Sequence, residues 1–236
     1  LSLHDALPIS LANWIGAQTG ATVGYLTEAA NTVGAQLVNA APGANGLNAG
    51  QMLAGGLKAA ILLNVEPEFD AADGKKALAG MGQAEMVISM SPFKANMDIA
   101  DVLLPIAPWT ETPGTFVNAE GRVQSFHAVV KPAGETRPAW KVLRVIANTM
   151  GLPGFEFESA QEVLAAARGL QDLAASHVQG GVLSNATGAA IDVAAAAGTP
   201  ATAAIYQLDG IVRRATSLQL TADGRSAAMA REETPA

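Results

Sequence analysis

Two acidic side chains, Glu66 and Asp70, stand four residues apart directly after an apolar stretch. A pair of carboxylates has the residue types used in general acid–base catalysis. The alternative is a solvated turn in which Asp70 accepts backbone N–H groups at the start of a helix. The same choice arises for His127, which follows Phe126 and is either a base or a packed, hydrogen-bonded side chain. We favour the structural role for all three residues and predict no catalytic residue in this chain.

Residue composition predicts no metal site and no standard phosphate site. The 236 residues contain no cysteine and three histidines, so they hold no disulfide and no cysteine-ligated zinc or iron–sulfur centre. The Gly-rich patterns of nucleotide-binding loops do not occur. The stretch GANGLNAG at 43–50 has a different glycine spacing. We expect it to be a surface loop, with phosphate binding as the less favoured alternative.

Charge and hydropathy argue against two kinds of partner. The formal net charge is −7 and the pI is about 4.9, whereas a nucleic-acid surface needs clustered Lys and Arg. Half of the residues are hydrophobic, but no apolar run reaches the roughly 20 residues of a membrane span. The longest stretch with few charges, 178–208, consists mostly of Ala, Gly, Ser and Thr. We therefore expect no nucleic-acid partner and no direct membrane insertion.

The opening residues 1–9, LSLHDALPI, show neither helical nor strand periodicity and lack the features of a signal peptide. They match one reading frame of a common short-read sequencing adaptor, CTT TCC CTA CAC GAC GCT CTT CCG ATC. We therefore expect these residues to be an artefact, with the natural sequence beginning near Ser10 inside a longer gene. The alternative is a frayed terminus or short loop that leads into the first helix.

Apolar runs closed by proline or polar residues predict a parallel sheet. We expect strands at 21–26, 58–67, 84–93 and 101–108, and helices at 11–20, 27–38, 47–57 and 70–81. Thr27 is the expected cap of the second helix. This alternation is typical of the doubly wound α/β class, in which functional residues collect at the carboxyl ends of the strands.

Beyond residue 110 the pattern indicates a β-hairpin and then helices. Two strand-like halves within 114–127 flank a turn containing Gly121, which can take the positive φ of a tight turn. A strong helix is expected over 137–151, with Pro138 at its first position. A second helix is expected over 159–170, capped by Ser159 with Glu162 at the third helical position.

These patterns divide the chain into four parts. They are the artefact at 1–9, a partial α/β domain at 10–170, an Ala/Gly-rich connection at 171–204, and a C-terminal docking segment with a disordered tail at 205–236. Within the docking segment, Arg213 and Arg214 are candidates for contact with the domain or with a neighbouring subunit. The alternative for this pair is a solvated basic turn.

The most specific pattern is ADVLLPIAPWTETPGTFVNAEGRVQ at 100–124. It resembles the hallmark of the molybdopterin oxidoreductase superfamily, an ADxxLP strand followed by an acidic residue and GTFxNxEGRxQ. The matching positions include Asp101, Pro105, Glu111, Gly114, Thr115, Asn118, Glu120, Gly121, Arg122 and Gln124. From their chemistry we expect Glu111 and Arg122 to form a partly buried ion pair. Asn118 is expected to bind the backbone of the turn.

Within the superfamily, the EGR form and the tail YQLDGIVRRATSLQLT at 206–221 resemble the large iron–sulfur subunit of bacterial NADH–quinone oxidoreductase, respiratory complex I. The resemblance implies a subunit of a translocase that passes electrons from NADH through iron–sulfur clusters to quinone. This part of it is expected to be a non-catalytic scaffold in which the motif plays a structural role.

The same resemblance implies where the cofactors and partners of the subunit lie. Its 2Fe–2S and 4Fe–4S clusters are expected upstream of these residues. No cofactor and no molybdenum are expected within them. The implied partners are other peripheral-arm subunits, at the cytoplasmic face of the bacterial inner membrane.

Two alternatives remain open. One is the cofactor-holding subunit of a molybdenum or tungsten oxidoreductase such as a formate dehydrogenase, a group that tends to show a second Arg where Gly121 stands. Such an enzyme is expected to have an upstream Cys, Sec or Ser metal ligand and a downstream barrel domain. The other is a stand-alone binding protein with a degenerate fold.

Overall fold

The computed structural model describes residues 3–24, 27, 29–43, 45–167 and 205–226. The chain forms two compact units, Leu1–Ala49 with Ala107–Val193 and Gly50–Ile106 with Ala194–Ala236. The expected connection at 171–204 and most of the expected tail lie outside the described residues. The domain boundaries drawn from the sequence stay a prediction.

The first unit combines helices with a β-hairpin. Its elements are α1 (Leu3–Thr19), α2 (Thr32–Leu37), a 3₁₀ turn (Trp109–Glu111), β4 (Gly114–Val117), β5 (Val123–Phe126), α6 (Ala139–Thr149) and α7 (Ala160–Ala166). The strands β4 and β5 pair antiparallel, with Gly114 opposite Phe126 and Val117 opposite Val123. The Asn31 Oδ1 atom accepts a hydrogen bond from the Val117 N–H at 2.8 Å, which fixes the start of α2 against the hairpin.

The second unit is built on a parallel sheet. Its elements are α3 (Ala49–Leu53, which begins one residue before the unit), β1 (Ala59–Leu63), α4 (Pro67–Asp70), α5 (Gly74–Met81), β2 (Met86–Ser91), β3 (Val102–Pro105), α8 (Ile205–Leu208), a 3₁₀ turn (Val212–Arg214) and α9 (Thr216–Gln219). The strand order is β1-β2-β3, and both pairings are parallel. The predicted α/β class with a parallel sheet is confirmed.

The core of the second unit lies between one face of the sheet and α5. Ala60, Leu62, Val87 and Met81 are buried together there. The alternation of buried and exposed residues along β1 follows from the twofold period of a strand. Full burial of a side chain such as Met81 contributes about 2–3 kcal/mol. Asp73 caps α5 by accepting a hydrogen bond from the Lys76 N–H at 2.9 Å.

Four local predictions are corrected by the structure. Residues 21–24, expected to start a strand, are irregular. Thr27 is not the cap of α2, because Asn31 precedes that helix and the Thr27 hydroxyl donates to the Ala29 carbonyl. Pro138 precedes α6 as its N-cap instead of occupying the first helical position. Part of the opening stretch, expected to be non-periodic, lies inside α1, where Leu and Ala favour helix. The origin of that stretch stays a prediction.

Within the described part of the chain, no helix combines the length and the apolarity needed to cross a membrane.

The predicted cap of α7 is confirmed and carries a pH-dependent interaction. The Ser159 Oγ atom accepts from the Glu162 N–H at 3.2 Å, and the Glu162 carboxylate accepts from the Glu158 N–H at 2.8 Å. This arrangement is a variant of the capping box, in which the Glu162 carboxylate binds the N–H of the residue before the N-cap. The hydrogen bonds from the Glu158 N–H and then from the Ser159 hydroxyl lower the pKa of Glu162 from its ordinary 4.5.

We predict that the start of α7 loses stability in acid. A folded-state pKa below the unfolded-state pKa gives a contribution that is complete above the unfolded-state value and is lost as the pH falls through the folded-state value. NMR titration of the Glu162 carboxyl carbon, together with amide protection in α7, measures both quantities. Glu162→Gln should remove the acid sensitivity of α7. An identical acid response in the wild-type and Glu162→Gln chains contradicts the assignment.

Candidate functional site

The two acidic side chains singled out from the sequence lie at the carboxyl end of β1. After Asn64, which has φ +53°, the chain enters a turn in which Glu66 is the N-cap of α4. The Asp70 Oδ2 atom accepts a hydrogen bond from the Glu66 N–H at 2.7 Å. Asp70 thus accepts a backbone N–H at the start of α4. It does not cap the helix predicted over 70–81, whose cap is Asp73, and the predicted solvated turn is wrong because Glu66 is buried.

Both carboxylates are held by arginines of the C-terminal segment. Arg214 binds Glu66 in a bidentate manner, with Nη1 2.8 Å from Oε1 and Nη2 3.0 Å from Oε2. The Arg213 Nη2 atom lies 2.6 Å from Asp70 Oδ1, and its Nη1 lies 3.4 Å from Glu66 Oε2. Bidentate guanidinium–carboxylate pairs are among the stronger polar contacts in proteins. All four carboxylate oxygens have donors, so the arrangement suits guanidinium binding.

Two aromatic rings complete the arginine contacts. The Arg213 guanidinium lies 4.6 Å from the ring centroid of Phe69. The Arg214 guanidinium lies 4.2 Å from the ring centroid of Phe93. The Arg213 side chain is 6% exposed. A cation over an aromatic face adds about 1 kcal/mol or more as water is excluded. The solvated-turn interpretation of Arg213 and Arg214 is thus wrong, because both contact their own unit. A contact with a neighbouring subunit stays a prediction.

Hydrogen bonds within the C-terminal segment hold the two arginines in place. The Asp209 Oδ1 atom accepts from the Ile211 and Val212 N–H groups at 2.8 and 2.9 Å, which starts the 3₁₀ turn. The Gln219 amide donates to the Tyr206 and Val212 carbonyls, both at 2.9 Å. The segment is therefore a braced element and not an isolated basic turn.

Phe69, Phe93 and Asn96 are site residues that the sequence analysis missed. The Asn96 amide donates to the Val65 carbonyl at 2.8 Å and to the Ser89 hydroxyl at 3.1 Å, joining the ends of β1 and β2. Asn96 has φ +59°, a conformation that Asn adopts more readily than most residues. No local pattern marks these three positions, because their partners are distant in the sequence.

The hairpin turn of the 100–124 motif has the predicted geometry. The Asn118 Oδ1 atom accepts from the Glu120 and Arg122 N–H groups at 3.1 and 2.9 Å. Gly121 has φ +82°, which L side chains rarely adopt. At the other end of the hairpin, a Cβ on Gly114 would lie 2.6 Å from the Phe126 ring. Thr115 and Ser125 share a hydrogen bond of 2.9 Å across the strands.

The predicted ion pair between Glu111 and Arg122 is wrong. The Glu111 Oε2 atom instead accepts from the Ala133 N–H at 2.9 Å. Glu111 precedes the start of β4, whereas Arg122 stands at the turn end of the hairpin. A strand of four residues separates the two by about 13 Å, which places them too far apart for an ion pair.

The remaining motif residues lie in the parallel sheet or on the surface. The Asp101 Oδ2 atom accepts from the Val87 N–H at 2.7 Å, and the Asp101 N–H donates to the Val87 carbonyl at 2.9 Å. Pro105 ends β3 opposite Ser91. Glu120 and Gln124 are exposed. The motif therefore contributes strand-end and turn contacts in both units.

One cavity lies in the first unit, among α2, the hairpin, α6 and α7. It has a volume of about 340 Å³, and His127 stands on its wall as an exposed side chain. Its other wall residues are Asn31, Gly34, Val38, Pro113, Gly114, Thr115, Val117, Ser125, Phe126, Trp140, Ala160, Gln161, Val163, Leu164 and Ala167. Among the described residues, the wall is mainly apolar and contains no Lys or Arg. The prediction that His127 is packed is not supported, and no second titratable group of the described chain joins it in the wall.

Comparison with known proteins identifies the family. The family model for molybdopterin oxidoreductase matches residues 5–149, more than half of the chain. The chain belongs to the molybdopterin oxidoreductase family, as the 100–124 motif predicts.

Individual relatives cover a smaller part of the chain. It is 41% identical over 66 residues to a putative formate dehydrogenase of Staphylococcus aureus (strain bovine RF122 / ET3-1) and 37% identical over 67 residues to the probable oxidoreductase YjgC of Bacillus subtilis (strain 168). Each match covers 28% of this chain and 7% of the relative. Among solved structures, acetylene hydratase from Pelobacter acetylenicus matches at 23% identity and a TM-score of 0.40, covering 48% of this chain and 16% of that one.

Within the described residues, no group of three or more His, Cys, Asp or Glu side chains is placed to hold the metal ion of the cofactor for which the family is named. The cavity offers no cation for a phosphate, and the carboxylates at the end of β1 are paired with arginines. No chemical step through that group is therefore assigned to these residues. The expectation that this part carries no molybdenum stays a prediction.

We predict that the hairpin turn depends on Asn118. Asn118→Ala leaves two N–H groups without their acceptor and should lower the free energy of unfolding by about 1–2 kcal/mol. Gly121→Ala forces a side chain into the positive-φ region and should cost about 1–2 kcal/mol. Urea unfolding followed by circular dichroism measures both. The exposed neighbouring variant Glu120→Ala is the control and should change stability little. Equal effects of all three substitutions contradict this account of the turn.

Proposed function

We propose that this chain is part of the large subunit of an oxidoreductase of the formate dehydrogenase type, in which it serves as scaffold. The supporting observation is the identity of 41% over 66 residues with a relative named as a putative formate dehydrogenase, together with the family match over residues 5–149. Because the match spans only 7% of that relative, the metal ligand, the cofactor and the substrate site are assigned to other parts of the subunit.

The contacts of the motif support the scaffold role. The side chains of Asp101, Glu111 and Asn118 each accept hydrogen bonds from backbone N–H groups. Such bonds fix where strands and turns begin and end. The loops between these elements therefore start and end at fixed positions. Substrates and cofactors are usually bound by loops of this kind, carried on a rigid scaffold.

A second candidate is the large iron–sulfur subunit of bacterial NADH–quinone oxidoreductase. Gly121 favours it, because enzymes of the formate dehydrogenase type tend to show Arg at this position. The resemblance of the 206–221 segment favours it as well. In this candidate the chain is a scaffold in the peripheral arm, at the cytoplasmic face of the membrane, within a subunit whose iron–sulfur clusters carry electrons from NADH towards quinone.

The two candidates predict different properties of the full-length gene product. An enzyme of the formate dehydrogenase type should purify with stoichiometric molybdenum or tungsten and reduce a dye with formate as electron donor. A complex I subunit should purify with iron and without either metal, and its deletion should abolish NADH–quinone activity of the membranes. Metal analysis by mass spectrometry and the two activity assays on one preparation distinguish them. A product with neither property contradicts both candidates.

A further inference from the structure

The carboxyl end of β1 and the segment after β2 together form a pocket for guanidinium groups. We call Glu66, Phe69, Asp70 and Phe93 the guanidinium pocket. Its two carboxylates balance the charge of two guanidiniums, and its two rings lie against them, as the contacts of Arg213 and Arg214 show. This pocket lies at the carboxyl ends of parallel strands, where open α/β sheets usually bind ligands.

The occupant of the pocket is the C-terminal strap, which we define as residues 205–226. Its attachment is mainly polar. The buried hydrophobic residues of the described chain all lie outside the strap. Two of its larger apolar side chains, Tyr206 and Val212, are half-buried. Four others are exposed at 40–60%, namely Leu208, Ile211, Leu218 and Leu220. An element held by ion pairs and ring contacts, and not by a shared apolar core, opens at lower free energy than the sheet does.

We propose that the guanidinium pocket is an exchangeable binding site for a peptide segment with two adjacent arginines, and that the C-terminal strap fills it in cis. Glu66 is 9% exposed and Asp70 lies beside it, so opening of the strap leaves two neighbouring carboxylates without cations. Uncompensated, partly buried charges are unfavourable, and this favours either reclosure or capture of an equivalent segment. The proposal does not depend on which oxidoreductase contains the chain.

The test uses the full 236-residue chain and a fluorescent peptide with the sequence of residues 205–226. In the wild-type chain the strap competes at high effective concentration, so the peptide should bind weakly. Arg213→Ala combined with Arg214→Ala should open the pocket and tighten peptide binding by about tenfold or more, measured by fluorescence polarisation. Addition of Glu66→Gln and Asp70→Asn to that variant should abolish the gain. Arg225→Ala, at an exposed arginine of the strap, is the matched control and should bind like the wild type.

Specific outcomes overturn the proposal. A peptide in which both arginines are replaced by alanine should not bind, and equal binding of the two peptides contradicts guanidinium recognition. A double variant with an unchanged circular dichroism spectrum that binds no better than the wild type contradicts exchange.

Hydrogen exchange of the wild-type chain gives a second test that does not need a variant to fold. The amides of Arg213, Ala215 and Leu218 should be less protected than the amide of Asp101, which bonds to β2. Equal protection means that the strap opens only when the whole unit unfolds, and it rules out an exchangeable site.

Discussion

Backbone N–H groups without ladder partners at the ends of strands and turns require other acceptors. Asp101 supplies an acceptor to the Val87 N–H of β2, Asn118 to the hairpin turn, and Glu111 to the chain beyond the hairpin. Where such an N–H is buried, as Val87 is, leaving it unmet costs about 1–3 kcal/mol. The acidic and amide residues of the motif are therefore explained by backbone geometry.

The end of β1 shows the same constraint with charges added. Asp70 accepts the Glu66 N–H and thereby brings a second carboxylate next to the buried Glu66. Two such groups are favourable together only with cations close by. Arg213 and Arg214 provide these cations from a segment far along the chain, 143 positions beyond Asp70 and 148 beyond Glu66. The turn at the end of β1 thus places two carboxylates together, and the C-terminal segment supplies the cations that they need.

Membership of the molybdopterin oxidoreductase family rests on the match over residues 5–149. The family motif is distributed over both units as strand-end and turn contacts. The match to a putative formate dehydrogenase spans 7% of that relative, so a scaffold role within such an enzyme stays a proposal.

Sequence alone determined the features that depend on local chemistry. The parallel α/β class, the hairpin with Gly121 and the Ser159–Glu162 cap all follow from short-range period, turn and capping rules. Family membership followed from the linear pattern at 100–124. These features need no knowledge of distant contacts, so the printed residues were sufficient.

Only the tertiary structure decided which side chains meet. Asn31, and not Thr27, precedes α2, and its side chain binds the hairpin. The Glu111 side chain binds a backbone N–H and not Arg122. The tertiary structure also brought Arg213 and Arg214 onto Glu66 and Asp70 between rings that no motif marks. The physical reason is that hydrogen bonds and ion pairs act over a few ångströms. Residues far apart in sequence come within that range only through the packing of the whole unit.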